Sequence, residues 1–170
     1  MVTVREARAT DLTYIMSLID EAREYFRCAM IPQWQGEYPS RELIADDIAR
    51  GEFYVCEESG SIMGACAIVS GVERDYINIY EGSWKNDRDY ISVHRIAVGA
   101  RYKGKGVAAS LIDRAVARAR ECGVRDIRCD THRDNLSMRR MLEKNGFENR
   151  GIIYLSEDGA ERVAYQMTLD

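Results

Sequence analysis

At 170 residues and 19.4 kDa, 46% of them hydrophobic, the chain has the size of one ordinary domain and enough apolar material for its own core. Its 28 acidic against 24 basic side chains leave a net charge of −4 and a pI near 5.4, which argues against a broad nucleic-acid surface. The five cysteines form no C-x-x-C pair, only His94 and His132 could join them as nitrogen ligands, and no apolar run approaches the roughly 20 residues that span a bilayer. The pattern predicts a reduced, cytoplasmic chain without a zinc site, a disulfide frame, a secretion leader or a membrane segment.

Residues 2–6 alternate as a short strand, and Thr10 and Asp11 offer capping oxygens to a helix carrying Leu12, Ile15, Ile19, Ala22 and Phe26 at helical spacing. Residues 28–39 have no period and hold both prolines, Pro32 and Pro39. Ser40 then caps a second helix with Leu43, Ile44 and Ile48, closed by Gly51. Residues 53–57 and 62–69 read as strands about the turn Glu58-Ser59-Gly60, an antiparallel hairpin. A long irregular stretch, 70–89, gathers Tyr76, Tyr80, Glu81 and Trp84, more aromatic material than a connector requires.

Residues 90–98 alternate again, with Tyr90, Ser92, His94, Ile96 and Val98 on one face, and run into Arg101-Tyr102-Lys103-Gly104-Lys105-Gly106. A helix opens there on the stripe Val107, Ala108, Leu111, Ile112, Ala115, Val116 and Ala119, and Gly123 ends it. With a strand over 127–131 this makes a β-loop-α-β unit with parallel strands. Asp134 is expected to cap a shorter helix holding Met138, Met141 and Leu142, and strands over 152–155 and 163–168 close the chain as a second hairpin about Glu157-Asp158-Gly159.

Glycines between a strand and a helix let successive backbone N–H groups face one phosphate, with the helix N-terminus adding partial positive charge. The loop nearly spells a nucleotide-triphosphate motif from Gly99 to Gly106, but Gly106 stands where a hydroxyl must hold magnesium. Residues 104–109 also fit the dinucleotide pattern G-x-G-x-x-A with Asp126 downstream, yet too few βα units remain for that fold. The loop's companions point elsewhere. Arg101-x-x-Gly104-x-Gly106 after Ile-Ala-Val, then Asp134-Asn135-Leu136-Ser137-Met138, then Glu143-Lys144-Asn145-Gly146-Phe147, resembles the GNAT superfamily of acyl-CoA-dependent N-acetyltransferases in order and spacing over nearly the whole chain.

The resemblance implies one domain over residues 1–170 with an α/β, three-layer α/β/α fold, its central sheet mixed and mostly antiparallel, with the parallel β-loop-α-β unit binding the cofactor. It implies acetyl-CoA as acyl donor without a metal, backbone groups of Ile96, Ala97 and Val98 on pantetheine, and Arg101, Tyr102, Lys103, Gly104, Lys105, Gly106, Val107 and Ala108 around the pyrophosphate. Asn135 matches the family's pantetheine-contacting Asn and is equally a helix-start residue, while Arg140 and Lys144 lie where cations could meet cofactor phosphate. The chain departs from the family at Leu142, where many members place a Tyr that protonates the leaving thiolate. Tyr80, Tyr154, Tyr165 or a water are the replacements, and departure of an unassisted thiolate is the alternative to all of them.

For the base, His94 matches the offset of a His in the arylalkylamine members, and a half-buried strand histidine is the plain alternative. Glu81 is a second candidate. Lacking a neighbouring base, the cysteines read as small buried hydrophobes, so direct attack in a ternary complex is expected. The irregular segments supply Trp34, Tyr80, Glu81 and Trp84 as acceptor-pocket candidates suited to a cationic amine, or as loop packing. A small amine is the expected partner, with no nucleic acid or membrane and with a homodimer open. A protein N-terminal or lysine acetyltransferase and a non-catalytic coenzyme A sensor are the rivals.

Overall fold

A computed structural model describes residues 1–170, which group into two compact units, each assembled from two stretches of chain. The first comprises Met1–Ile68 with Arg95–Arg114 and the second Val69–His94 with Ala115–Asp170. No helix is long and apolar enough to cross a membrane.

The first unit opens with β1 (Thr3–Glu6), which pairs antiparallel with β2 (Phe53–Glu58), itself a hairpin partner of β3 (Ser61–Ser70). Ser59 and Gly60, both at positive φ, make the turn between them. Thr10 and Asp11, expected to cap the first helix, instead belong to a 3-10 turn over Ala9–Asp11. Asp11 accepts the Arg8 N–H at 2.7 Å and holds the Arg5 guanidinium. The helix α1 (Leu12–Cys28) follows and buries Ile15, Leu18, Ile19 and Phe26, one apolar stripe at helical spacing. Ser40 caps α2 (Arg41–Ala49) as its sequence predicts, its hydroxyl accepting the Leu43 N–H at 3.1 Å. Ile15, Ile19, Ile44, Phe53, Val55, Ala65 and Leu111 are fully buried, each large aliphatic or aromatic side chain among them contributing about 1.5–3 kcal/mol.

β4 (Tyr90–Val98) belongs to both units, and α3 (Val107–Glu121) starts in the first and ends in the second. The seven strands follow the order β1-β2-β3-β4-β5-β7-β6, where β5 is Asp126–Thr131, β6 Glu148–Tyr154 and β7 Glu161–Thr168. β4 and β5 pair parallel, through Tyr90↔Asp126, Ile91↔Ile127 and Ser92↔Arg128, as the β-loop-α-β reading requires. That registered pairing ends at Ser92, so His94 lies beyond it. The expected mixed, mostly antiparallel α/β fold is the observed one.

In the second unit β6 begins at Glu148 rather than at 152. Its first residues are polar and carry a glycine at φ 141°, so hydrophobic alternation cannot mark them, but their backbones pair with β7 through an irregular register at Asn149/Gly151. The cap of α4 (Leu136–Lys144) is Asn135, not Asp134: the Asn135 carbonyl oxygen accepts the Met138 N–H at 3.3 Å, while the Asp134 N–H donates to His132 Nδ1. Tyr76, Tyr90, Ile153 and Ala164 form a core cluster against which Ile79, Trp84 and Leu155 pack.

Candidate active site

In the first unit β4 leads into a loop tied to β3, to α1 and to itself. Gly99 N–H donates to the Met63 carbonyl at 2.9 Å, Ala100 N–H to the Glu21 carboxylate on α1 at 2.9 Å, and Tyr102 N–H to the Gly99 carbonyl at 2.8 Å. Gly64 on β3 makes this seat possible, because a Cβ there would stand 2.6 Å from Val107 Cγ1 and 3.1 Å from the Ala97 carbonyl. Gly104 and Gly106 then take left-handed conformations, φ 76° and 80°, and a Cβ built on either would meet nothing within 4 Å.

Ser110 N–H is bonded to the Gly106 carbonyl, which leaves the N–H groups of Val107, Ala108 and Ala109 in the first turn of α3 without an acceptor in their own helix. Arg101, Lys103 and Lys105 are exposed around this turn, Arg101 and Lys105 beside the Tyr102 ring and Lys103 with its ammonium 3.9 Å from the Tyr25 ring centre. A cleft of about 650 Å³ opens between this side of the loop, at Val98, Ala100, Arg101 and Lys103, and α1 residues that include Glu21 and Tyr25. Open left-handed glycines, amides outside the ladder at a helix start and three exposed cations form a cradle that fits the diphosphate of coenzyme A. Ile96, Ala97 and Val98, the expected pantetheine-facing residues, directly precede it on β4.

In the second unit His94 is largely buried, its side chain 14% exposed, and its Nε2 is 3.1 Å from Glu73 Oε2. The contact has the distance but not the alignment of a hydrogen bond, and Nε2 is otherwise enclosed. The ring lies 5.9 Å from that of Tyr76, whose hydroxyl donates to Asp130 Oδ1 at 2.6 Å. Desolvation pushes the Asp130 carboxyl above the usual carboxylate range, against the opposing pull of His94, the Tyr76 hydroxyl and Arg162. Burial and the Asp130 charge likewise hold the Tyr76 phenol protonated. Glu73, Tyr76 and Asp130 were not singled out as site residues from the sequence. Asp130 shares β5 with a second acid, Asp126, and with Arg128, so no local pattern marked it.

The remaining expected residues fall into different roles. Arg95 takes φ 55° in the middle of β4, so the alternation that put His94 and Val98 on one face does not run through the strand. Trp84 packs rather than lines a pocket: its indole N–H donates to the Tyr76 carbonyl at 2.8 Å and the Arg128 guanidinium lies 4.3 Å from its ring centre. Trp34 stands edge-on to Phe26 in the first unit. Tyr80 is half exposed, its ring against Tyr154 and its backbone bridged to Ile152, and Glu81 beside it is exposed at φ 54°.

Tyr165 is fully buried, accepting from Arg139 and donating to Glu143, and Leu142 is core. Arg140 and Lys144 are exposed on α4. Both ends of the Asn135 amide are engaged, by the Met138 N–H and by Thr131 Oγ1 at 3.1 Å. Cys56, Cys66 and Cys129 are buried, and burial lifts the Cys66 thiol to about 12, which removes it as a nucleophile; Cys28 and Cys122 are exposed, against the expectation of burial.

The model of the acetyltransferase (GNAT) family matches residues 16–147. No curated protein matches the chain by sequence. Among solved structures, a GNAT-family acetyltransferase from Streptococcus agalactiae 2603 is 35% identical, with a TM-score of 0.89 over 99% of this chain and 96% of its own. A GNAT-family acetyltransferase from Listeria monocytogenes 4b F2365 is 24% identical, with a TM-score of 0.74 over 99% of this chain and 95% of its own. N-acetylglutamate synthase from Neisseria gonorrhoeae, solved with coenzyme A and N-acetyl-glutamate, is 19% identical, with a TM-score of 0.67 over all of this chain and 35% of its own.

Proposed function

Because the chain belongs to the acetyltransferase (GNAT) family, whose members carry out acyl-CoA-dependent N-acetyl transfer, we propose that it acetylates a small primary amine by direct attack, with His94 as general base. The observation that carries the cofactor half is the cradle at Gly104 and Gly106, open on the side where a Cβ would stand and followed at once by the first-turn amides of α3. Bound there, acetyl-CoA supplies a thioester carbonyl open to attack by a neutral amine.

The chain's residues have three tasks. The loop amides of Gly104, Gly106 and Val107 and the cations Arg101, Lys103 and Lys105 hold the diphosphate, which fixes the donor without covalent chemistry. A backbone N–H near Val98 polarises the carbonyl, in the manner of an oxyanion donor. His94 takes the proton released from nitrogen as the C–N bond forms and the C–S bond breaks, the electron pair leaving on sulfur. Leu142 supplies no proton to that thiolate, and neither does Tyr165, whose hydroxyl is spent on Arg139 and Glu143. Tyr80 and Tyr154 keep exposed hydroxyl-bearing rings and are the side-chain donors left for that role. Direct attack is favoured over an acetyl-enzyme because the exposed thiols Cys28 and Cys122 have no histidine partner.

The test is release of coenzyme A thiol from acetyl-CoA against a panel of primary amines, with melting curves on the same samples. Amine-dependent release is the expected result. A melting shift with acetyl-CoA but no release with any amine would replace the enzyme reading with that of a coenzyme A sensor.

A further inference from the structure

The second unit places a carboxylate against the ring nitrogen of His94 that faces inward, and we infer that Glu73 is the positioning residue for that imidazole, leaving Nδ1 as the atom that takes the acceptor's proton. The inference rests on the reading of His94 as base. Its ground is geometric: Nε2 is enclosed, its near polar neighbour is Glu73 Oε2 at 3.1 Å, and so Nε2 cannot reach an entering amine. A carboxylate that accepts the Nε2–H sets the tautomer, and the lone pair then sits on Nδ1.

Glu73 is itself anchored. Its backbone N–H donates to the Tyr90 hydroxyl at 2.9 Å, and it stands directly before the 3-10 turn Arg74–Tyr76, which fixes the angle from which its side chain approaches. The Tyr90 ring is in turn covered by the Arg128 guanidinium at 4.0 Å.

The same cluster explains why one carboxylate and not two would serve. Asp130 also acts on His94 electrostatically, but its Oδ1 is committed to the Tyr76 hydroxyl and Arg162 acts on it as well. Glu73 alone combines contact with the ring and a path to solvent, its side chain being 30% exposed. In the reaction the imidazole gains a proton at Nδ1 while keeping the one at Nε2. Glu73 stays ionised and balances the imidazolium, and the proton leaves Nδ1 to water after product departs.

The experiment compares Glu73→Gln, Glu73→Asp and His94→Gln by steady-state kinetics from about pH 6 to pH 9.5, with melting curves and 15N NMR of the histidine rings. Glu73→Gln is expected to lower turnover about tenfold or more, with KM and the acetyl-CoA melting shift unchanged, because a neutral amide cannot balance the imidazolium. The acid limb of its rate profile should move to lower pH; Asp130, which also feels the Glu73 charge, faces the same ring, with Tyr76 and Arg162 beside it. Glu73→Asp should recover part of the rate. In the wild type the neutral His94 ring should be the Nε2–H tautomer, assigned against His94→Gln, and should become a mixture in Glu73→Gln. A slow His94→Gln beside a Glu73→Gln of full turnover and unmoved acid limb would overturn the role of Glu73 alone. A Glu73→Gln whose rate loss tracks its unfolded fraction would do the same. A His94→Gln of undiminished turnover would overturn the base assignment and this inference with it.

Discussion

In the first unit the groups proposed to face phosphate are backbone amides of one short loop, set by the left-handed Gly104 and Gly106 and the start of α3. In the second the polar groups around His94 come from the segment before the Arg74–Tyr76 turn and from β5, and Tyr76 reaches Asp130 across 54 positions of sequence. The first device depends on dihedral angles and empty space, so one added side chain can destroy it while the fold survives. The second depends on burial and on mutual satisfaction of polar atoms, so cutting it costs stability as well as chemistry.

That difference can be broken by substitution, and the largest effect belongs to the second unit. Asp126 is fully buried and accepts from Asn86, Gln166 and Thr168 at 2.7–3.1 Å, with Arg88 at 3.1 Å on its other oxygen. Asp126→Ala leaves these donors without an acceptor and is expected to cost about 3–5 kcal/mol in urea unfolding. An unfolding midpoint within error of wild type would mean that the network is decoration.

The counterpart in the first unit is Gly106→Glu, which should cost about 1 kcal/mol of fold stability, because φ 80° strains any residue with a side chain, and should lose the stabilisation by acetyl-CoA, about 2.7 kcal/mol at a hundredfold excess over Kd. A retained melting shift would remove the diphosphate from this loop. A smaller effect is expected at Asn135, where both ends of the amide are used by the protein itself. Asn135→Ala should lower stability by about 1 kcal/mol and leave the acetyl-CoA shift in place. A variant of full stability with a reduced shift would restore the pantetheine contact implied by family resemblance.

The smallest effect concerns pH. The hydrogen bonds from Arg5 hold the Asp11 carboxyl below its ordinary value, so its contribution is complete above the unfolded value near 4 and is lost as pH falls through the folded one. Asp130 has the opposite sign, since desolvation raises it and protonation on acidification relieves the strain. Asp11→Asn should therefore flatten the acid side of the stability curve by about 0.5 kcal/mol without changing its neutral plateau shape. A wild-type acid slope in that variant would show that Arg5 satisfies itself on Glu57 alone.

Much of the fold was legible because the signals are local. The caps and closures at Ser40, Gly51 and Gly123, the two hairpin turns, the stripe of α3 and the parallel β4–α3–β5 unit all follow from residues within a few positions of one another. The glycine loop was legible for the same reason, since φ and helix-end amides are set by neighbours in sequence. The start of β6 was not, because Glu148, Asn149 and Arg150 carry no apolar alternation and become a strand through the hydrogen bonds that β7 offers.

The sequence by itself determined most of the elements, their order and the glycine loop, which are written in periodicity and in glycine. Tertiary structure alone decided that Arg95 breaks the face shared by His94 and Val98, that Trp84 is spent on Tyr76 and Arg128, and that Glu73 rather than Glu81 meets the His94 ring. These outcomes depend on which distant surfaces a side chain meets once buried. Sequence separation places no limit on that choice, and burial then fixes it because an enclosed polar atom must find a partner.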